Sequence, residues 1–139
     1  MELKLQGFCS IDPERIADFD PRQDQGVYVL LFKTEGKFRV GSLGSVRLSG
    51  VYAYVGSAQK NLKARLERHL RKNKRIHWHI DYVLSSSRTK ILKIYVKENA
   101  SKKEECKTAN LLGNKLKLEP IPKFGSSDCR CFTHLFRLR

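Results

Sequence analysis

The sequence predicts a small α+β domain in which a central, mostly antiparallel β-sheet is flanked by helices. Residues 26–33 form an apolar run of strand length that leaves no face for solvent, as in a strand inside a sheet. Residues 51–56 read VYAYVG and predict a second strand. Beyond it, one leucine in every four residues marks the apolar face of a helix, formed by Leu62, Leu66 and Leu70.

Turn and capping patterns complete the order of elements. Residues 37–48 alternate around glycines and predict an inserted hairpin. Ser101 and Glu104 have the spacing of a capping box, at the start of a helix that ends at Gly113. The remaining predicted elements are a short helix capped by Asp12, a second helix within 75–84, a strand over 90–97 and a final strand from Cys131.

The length of 139 residues suits one folded domain. We divide the chain into an N-terminal extension, 1–25, and a main domain, 26–139. The net charge is +14, although acidic side chains outnumber basic ones in the extension. A basic main domain favours a polyanionic partner, of which nucleic acid, either DNA or RNA, is the commonest in a cell. A solvated basic surface without a polyanionic partner is the other interpretation.

The sequence also indicates where the chain does not belong. Its longest apolar runs are only of strand length, so we expect no membrane span and no membrane partner. The first residues lack the apolar core of a secretory signal, and a cytoplasmic location is expected. The four cysteines are too scattered for a disulfide scaffold.

The predicted first long helix carries two residues suited to a catalytic cleft. At about 100° per residue, Arg65 and His69 flank the leucine stripe, so we expect them at the rim where the helix meets the sheet. On the later helix, Glu105 shares a face with apolar neighbours and is the acidic side chain expected to point inward. The basic residues expected to contact the nucleic-acid backbone are Lys60, Lys63, Arg68, Arg71 and Lys72.

The tripeptides Gly26-Val27-Tyr28 and Tyr54-Val55-Gly56, followed by Arg65, His69 and Glu105, resemble the GIY-YIG nuclease superfamily in residue types and order. The strings HWHIDY, GSLG and FGSSDCRCFTHLF are similar to a little-characterised prokaryotic branch, whose members occur alone or fused to a base-excision DNA glycosylase. The resemblance implies a DNA endonuclease domain from Gly26 onward, connected with DNA repair or processing.

The resemblance also implies a role for each of the five residues. Tyr28 would be the general base or its positioner, and Tyr54 would orient water or phosphate. Arg65 would hold the phosphate with its planar fork, and His69 would share proton transfer or orient Tyr28. Glu105 would hold one Mg²⁺ or Mn²⁺ ion. Each residue also has a structural alternative, including a Glu105–Arg65 salt bridge, and a catalytically weak or inactive nucleic-acid-binding module is the alternative function.

The sequence departs from the family pattern in two places. The family joins its tripeptide strands by a short turn, whereas residues 29–53 intervene here. Many members carry an asparagine in the loop after the glutamate helix, and the matching loop here offers Ser127 and Asp128, which we expect at the cleft instead.

The histidines around the tryptophan have three interpretations. His77 and His79 flank Trp78, with Asp81 close behind. A nucleic-acid surface would stack Trp78 on a base and bring His77 and His79 to the phosphates. In a second interpretation, Asp81 orients a catalytic group. A buried Trp78 that anchors the segment, with both histidines at the surface, is equally open.

The C-terminal cysteines raise the question of zinc. Cys129, Cys131 and His134 would need completion by Cys106 or His79, and their spacing differs from that of zinc knuckles. On a strand over 131–136, Cys131 and His134 would point to opposite faces. We therefore expect no zinc, small core cysteines, and His134 as a further cleft residue.

Overall fold

The structure is a computed structural model that describes residues 3–125 and 131–139. The predicted Ser127, Asp128 and Cys129 lie outside the described residues. In the described ranges, no helix has the length and apolar character needed to cross a membrane.

Within the described residues, a six-stranded antiparallel sheet and three α-helices confirm the predicted α+β class. The strands are β1 (Cys9–Ile11), β2 (Gly26–Arg39), β3 (Ser45–Ala58), β4 (Lys90–Glu98), β5 (Glu119–Pro120) and β6 (Leu135–Arg137). The helices are α1 (Leu62–Leu70), α2 (His79–Leu84) and α3 (Lys102–Asn110). Shorter helical turns cover Pro13–Asp18, Gly41–Leu43 and Leu111–Lys115. The strand order across the sheet is β1-β4-β2-β3-β6-β5.

Strand β2 lies inside the sheet, as its apolar sequence predicts. It pairs with β3 on one side and β4 on the other. Alternation sends Tyr28 and Leu30 into the core cluster that includes α1 and α2 residues, while Val27 and Val29 join the cluster that includes Ala109 of α3. Helices on both faces of the sheet explain why these residues leave no face to solvent.

The predicted hairpin over 37–48 forms, with its turn at Gly41–Leu43, but it is the far end of the β2–β3 hairpin and not a separate unit. Strands β2 and β3 pair without interruption from Gly26 opposite Ala58 to Arg39 opposite Ser45. The intervening residues therefore lengthen one hairpin rather than add another. Buried apolar residues alternate with exposed ones up to Phe38 near the end of β2, and their burial favours continued pairing with β3.

Several predicted boundaries also move. The last strand begins at Leu135 instead of Cys131. Ser101 occupies the N-cap position of α3 without a side-chain capping hydrogen bond, so the predicted capping box does not form. The Asp12 side chain does not cap its helical turn either and instead binds the Lys93 ammonium at 2.9 Å. Strand β1, within the predicted N-terminal extension, pairs with β4 at the edge of the sheet.

Candidate functional site

A pocket of about 520 Å³ lies where β2, β3 and all three α-helices supply side chains. Four of the five predicted catalytic residues line it, namely Tyr28, Tyr54, Arg65 and Glu105. They come from β2, β3, α1 and α3, respectively, so only tertiary folding brings them together.

His69 lies behind Tyr28, and its predicted position at the rim is wrong. The imidazole is only 2% exposed, because Leu62, Leu66 and His69 form the buried face of α1 while Leu70 is only half-buried. Its Nε2 atom lies 2.7 Å from the Tyr28 hydroxyl. Burial, assisted by the Lys74 charge, lowers the pKa of His69 to about 3, so the ring is neutral at pH 7.

The second ring nitrogen of His69 favours one tautomer. Nδ1 is buried and has no hydrogen-bond partner in the part of the chain that the structure describes. A buried N–H without an acceptor is rarer in proteins than an unsatisfied acceptor, so the proton belongs on Nε2. Nε2–H then donates to the Tyr28 oxygen, and the Tyr28 O–H can donate toward the pocket.

The two tyrosine hydroxyls remain protonated at neutral pH. Burial raises the pKa of Tyr28 to about 12, against the opposing charge of Arg65. Burial also raises the pKa of Tyr54 well above its usual value. Both hydroxyls can therefore donate a hydrogen bond to a ligand in the pocket.

The glycines of the two tripeptides are required by close packing. A Cβ atom on Gly56 would lie 2.6 Å from the end of the Tyr28 ring, which pairs with it across the β2–β3 ladder. A Cβ on Gly26 would lie 2.3 Å from the backbone oxygen of Lys97 on β4. Gly56 thus leaves room for the ring of Tyr28, and Gly26 lets two strands approach each other.

Arg65 is oriented by a carbonyl and by an aromatic ring. Its Nη1 donates to the Ser57 oxygen at 3.0 Å, and its guanidinium carbon lies 4.3 Å from the Trp78 ring centroid. The remaining guanidinium donors can serve a ligand in the pocket. The half-buried Trp78 thus supports Arg65, and it also lines the pocket.

Asp81 and Arg68 form a structural pair beneath that tryptophan. Both Asp81 oxygens accept hydrogen bonds from Arg68 at 2.9 Å, and one also accepts the N–H groups of His77 and Trp78. Although burial raises the pKa of Asp81, these hydrogen bonds bring it below its usual value. The sequence predicts a nucleic-acid contact for Arg68, but its side chain is only 19% exposed and its guanidinium binds Asp81. Asp81 orients the segment that carries Trp78.

Glu105 faces the pocket from the first turns of α3. It is 7% exposed, and its Oε2 lies 3.7 Å from His134 Nδ1, so its ion-pair partner is not Arg65. The salt-bridge alternative from the sequence is therefore wrong. One carboxylate beside an open pocket fits a Mg²⁺ ion, which keeps several waters and needs few protein ligands. His134 also lines the pocket, as predicted.

The remaining predicted contacts divide into two groups. Lys60, His77 and His79 line the pocket. His79 Nδ1 accepts the Gly125 N–H at 3.0 Å. Burial lowers the pKa of His79. Arg71 is exposed away from the pocket lining, and the other two lysines bind carbonyl oxygens elsewhere in the fold, Lys63 at Ala17 and Lys72 at Leu84, Ser86 and Thr89.

The cysteine prediction rested on a wrong premise. Cys131 and His134 precede β6 rather than lying on it. Ligand atoms of Cys106, Cys131 and His134 lie within 4.8 Å of one another, so the opposite-face argument does not apply.

The sequence-based prediction missed Gln59, Ser57 and Lys102 in the pocket lining. Lys102 precedes Glu105 by three residues on α3, a spacing that places side chains on one helical face and could have revealed it. Ser57 acts through its backbone carbonyl, for which the sequence carries no signal.

Comparison with known proteins gives one finding. No curated protein and no solved structure matches this chain. A family model described as a domain of unknown function, DUF123, matches residues 27–139. The match covers both tripeptide strands from Val27 onward, all three α-helices and the C-terminal segment. On that match, the chain belongs to the DUF123 family.

Proposed function

We propose that this protein is a divalent-metal-dependent DNA endonuclease of the GIY-YIG type, acting in DNA repair or processing. The observation that carries the proposal is the convergence of Tyr28, Tyr54, Arg65 and Glu105 on one pocket. Phosphodiester hydrolysis needs hydrogen-bond donors for the phosphoryl oxygens, a carboxylate for a metal ion and a cationic fork for the phosphate. The net charge of +14 supports a polyanionic substrate.

The cation in the pocket is suited to phosphate. Arg65 uses one donor on Ser57 and stacks on Trp78, which restrains its long side chain before a ligand binds. A restrained guanidinium loses less freedom when it grips a phosphate with two parallel hydrogen bonds. Lys60 and Lys102, both exposed at the pocket, add positive charge for the flanking backbone.

The raised pKa of Tyr28 favours a positioning role for this residue. A hydroxyl with a pKa of about 12 is a poor general base at neutral pH, and neutral His69 reaches the pocket only through that hydroxyl. Tyr28 therefore orients the attacking water or a phosphoryl oxygen through a hydrogen bond. A Mg²⁺ or Mn²⁺ ion held by Glu105 would lower the pKa of water and stabilise negative charge on the phosphate.

One observation favours the second candidate, a nucleic-acid-binding module without efficient cleavage. Neither Tyr28 nor His69 presents a basic atom to the pocket at neutral pH, because the tyrosine is protonated and the imidazole is buried. Such a module would keep the salt-sensitive affinity of a basic protein for DNA and would lack metal-dependent nicking.

The deciding experiment compares cleavage by the wild type and Glu105→Gln on a panel of branched, flapped and damaged DNA with Mg²⁺ or Mn²⁺. Removal of the metal-binding charge should lower the cleavage rate by more than about 100-fold, while DNA affinity changes little. Glu104→Gln is the matched control, because Glu104 is the adjacent acidic residue of α3 and faces Lys97 and Lys107 instead of the pocket. It should cleave like the wild type.

Two outcomes would decide against an enzyme. If the wild type and Glu105→Gln nick every substrate equally, the cleavage comes from a contaminating nuclease. If DNA is bound with a steep salt dependence and never cut, the binding module is the correct function.

A further inference from the structure

A second, chemically different group of side chains lies beside the proposed catalytic pocket. Cys106 is on α3, next in sequence to Glu105, while Cys131 and His134 belong to the segment that leads into β6. One ligand atom from each of the three lies within 4.8 Å of the other two. The group thus combines two thiols with one imidazole, contributed by two parts of the chain.

We propose that Cys106, Cys131 and His134 bind a zinc ion that ties α3 to the C-terminal segment. Thiolate and imidazole ligands select Zn²⁺ over the oxygen-preferring Mg²⁺. Around a tetrahedral zinc with bonds of about 2.0–2.3 Å, ligand atoms stand about 3.5–3.8 Å apart. The ligand atoms lie within 4.8 Å of one another, so they must approach by about 1 Å, which small side-chain rotations allow.

The burial of the three residues suits a structural zinc site better than adventitious metal binding at the surface. His134 is 1% exposed, and both cysteines are half-buried. Side chains in this state are already partly ordered before metal arrives, so binding costs less conformational entropy than it would at an exposed cluster. The three protein ligands leave the fourth tetrahedral position to a ligand outside this set.

The site would act on the pocket through two of its neighbours. Cys106 adjoins Glu105 on α3, and His134 lies 3.7 Å from the Glu105 carboxylate while also lining the pocket. A zinc ion there would hold Glu105 and His134 at a set separation. The zinc site is independent of the proposed nuclease function, because a nucleic-acid-binding module would need the same link between α3 and the C-terminal segment.

The test is zinc analysis of the full-length protein, with any affinity tag removed and thiols kept reduced. After zinc reconstitution and dialysis, mass spectrometry of the metal content should find about one zinc per chain. Cys106→Ser, Cys131→Ser and His134→Asn should each lower zinc affinity by more than about 100-fold, since changing a residue that only hydrogen-bonds a metal ligand already costs about 10–100-fold. Cys9→Ser is the matched control, because Cys9 is exposed on β1, and it should retain the zinc.

A second measurement covers the case in which a variant fails to fold. Wild-type protein loaded with Co²⁺ should develop the sulfur-to-metal charge-transfer absorption of thiolate ligands, which zinc then displaces. Less than about 0.1 zinc per chain together with no such absorption would overturn the proposal. Full zinc retention by a folded Cys106→Ser protein would overturn it as well.

Discussion

The buried imidazole of His69 makes the stability of this fold depend on pH. Burial lowers its pKa from 6.5 to about 3 in the folded protein, and the unfolded chain restores the ordinary value. Between these two pH values the unfolded chain binds a proton that the folded protein excludes, so acid favours unfolding. Stability that is complete above pH 6.5 is therefore lost progressively as the pH falls toward 3.

The size of this loss follows from proton linkage. One proton contributes about 1.4 kcal/mol per pH unit inside the window. From about pH 7.5 to about pH 5, the free energy of unfolding should fall by about 2 kcal/mol, because the unfolded imidazole is only partly protonated near its own pKa. Burial also lowers the pKa of His79, so His79 changes the free energy of unfolding with pH in the same direction. Measurements on the wild type alone therefore cannot separate the contribution of His69.

The assay is urea unfolding across this pH range for the wild type and His69→Gln. Glutamine does not titrate, so the variant should lose about 2 kcal/mol less than the wild type, whatever its stability at pH 7.5. Parallel pH curves for the wild type and His69→Gln would refute the reasoning, because they would mean that the folded protein protonates His69 as readily as the unfolded chain does.

Two further substitutions test the packing beneath the pocket. Gly56→Ala would place a methyl group 2.6 Å from the Tyr28 ring, so we expect a loss of about 1–3 kcal/mol in urea unfolding and a displaced hydroxyl; wild-type stability would contradict the steric role of this glycine. Asp81→Asn removes the charge that Arg68 and two backbone N–H groups share, and should cost about 3 kcal/mol or more. Asp18→Asn, in the exposed pair with Arg15, should cost less than about 0.5 kcal/mol, and equal losses for the two would argue against a buried network.

The periodicity of apolar residues in the sequence determined the fold class and the type of the main elements, but not all of their boundaries. The unbroken apolar run of β2 predicted a strand inside the sheet. A strand with one face in water carries polar residues at every second position, whereas a strand covered on both faces does not. Helical spacing likewise identified α1 and the inward Glu105. The likeness to the nuclease superfamily stays a prediction, although the residues that it named converge on one pocket.

Only the tertiary structure decided how deeply each polar residue lies and what it contacts. The helical wheel placed His69 on a flank, but the contact with Tyr28 draws it fully into the core. The sequence predicts a nucleic-acid contact for Arg68, whereas in the structure Arg68 binds the buried Asp81 of another helix. Cys106 meets Cys131 and His134 across 25 residues of chain or more, and no local pattern encodes such a meeting. Sequence periodicity reports which face of an element is buried, whereas contacts between elements depend on how those faces are assembled in space.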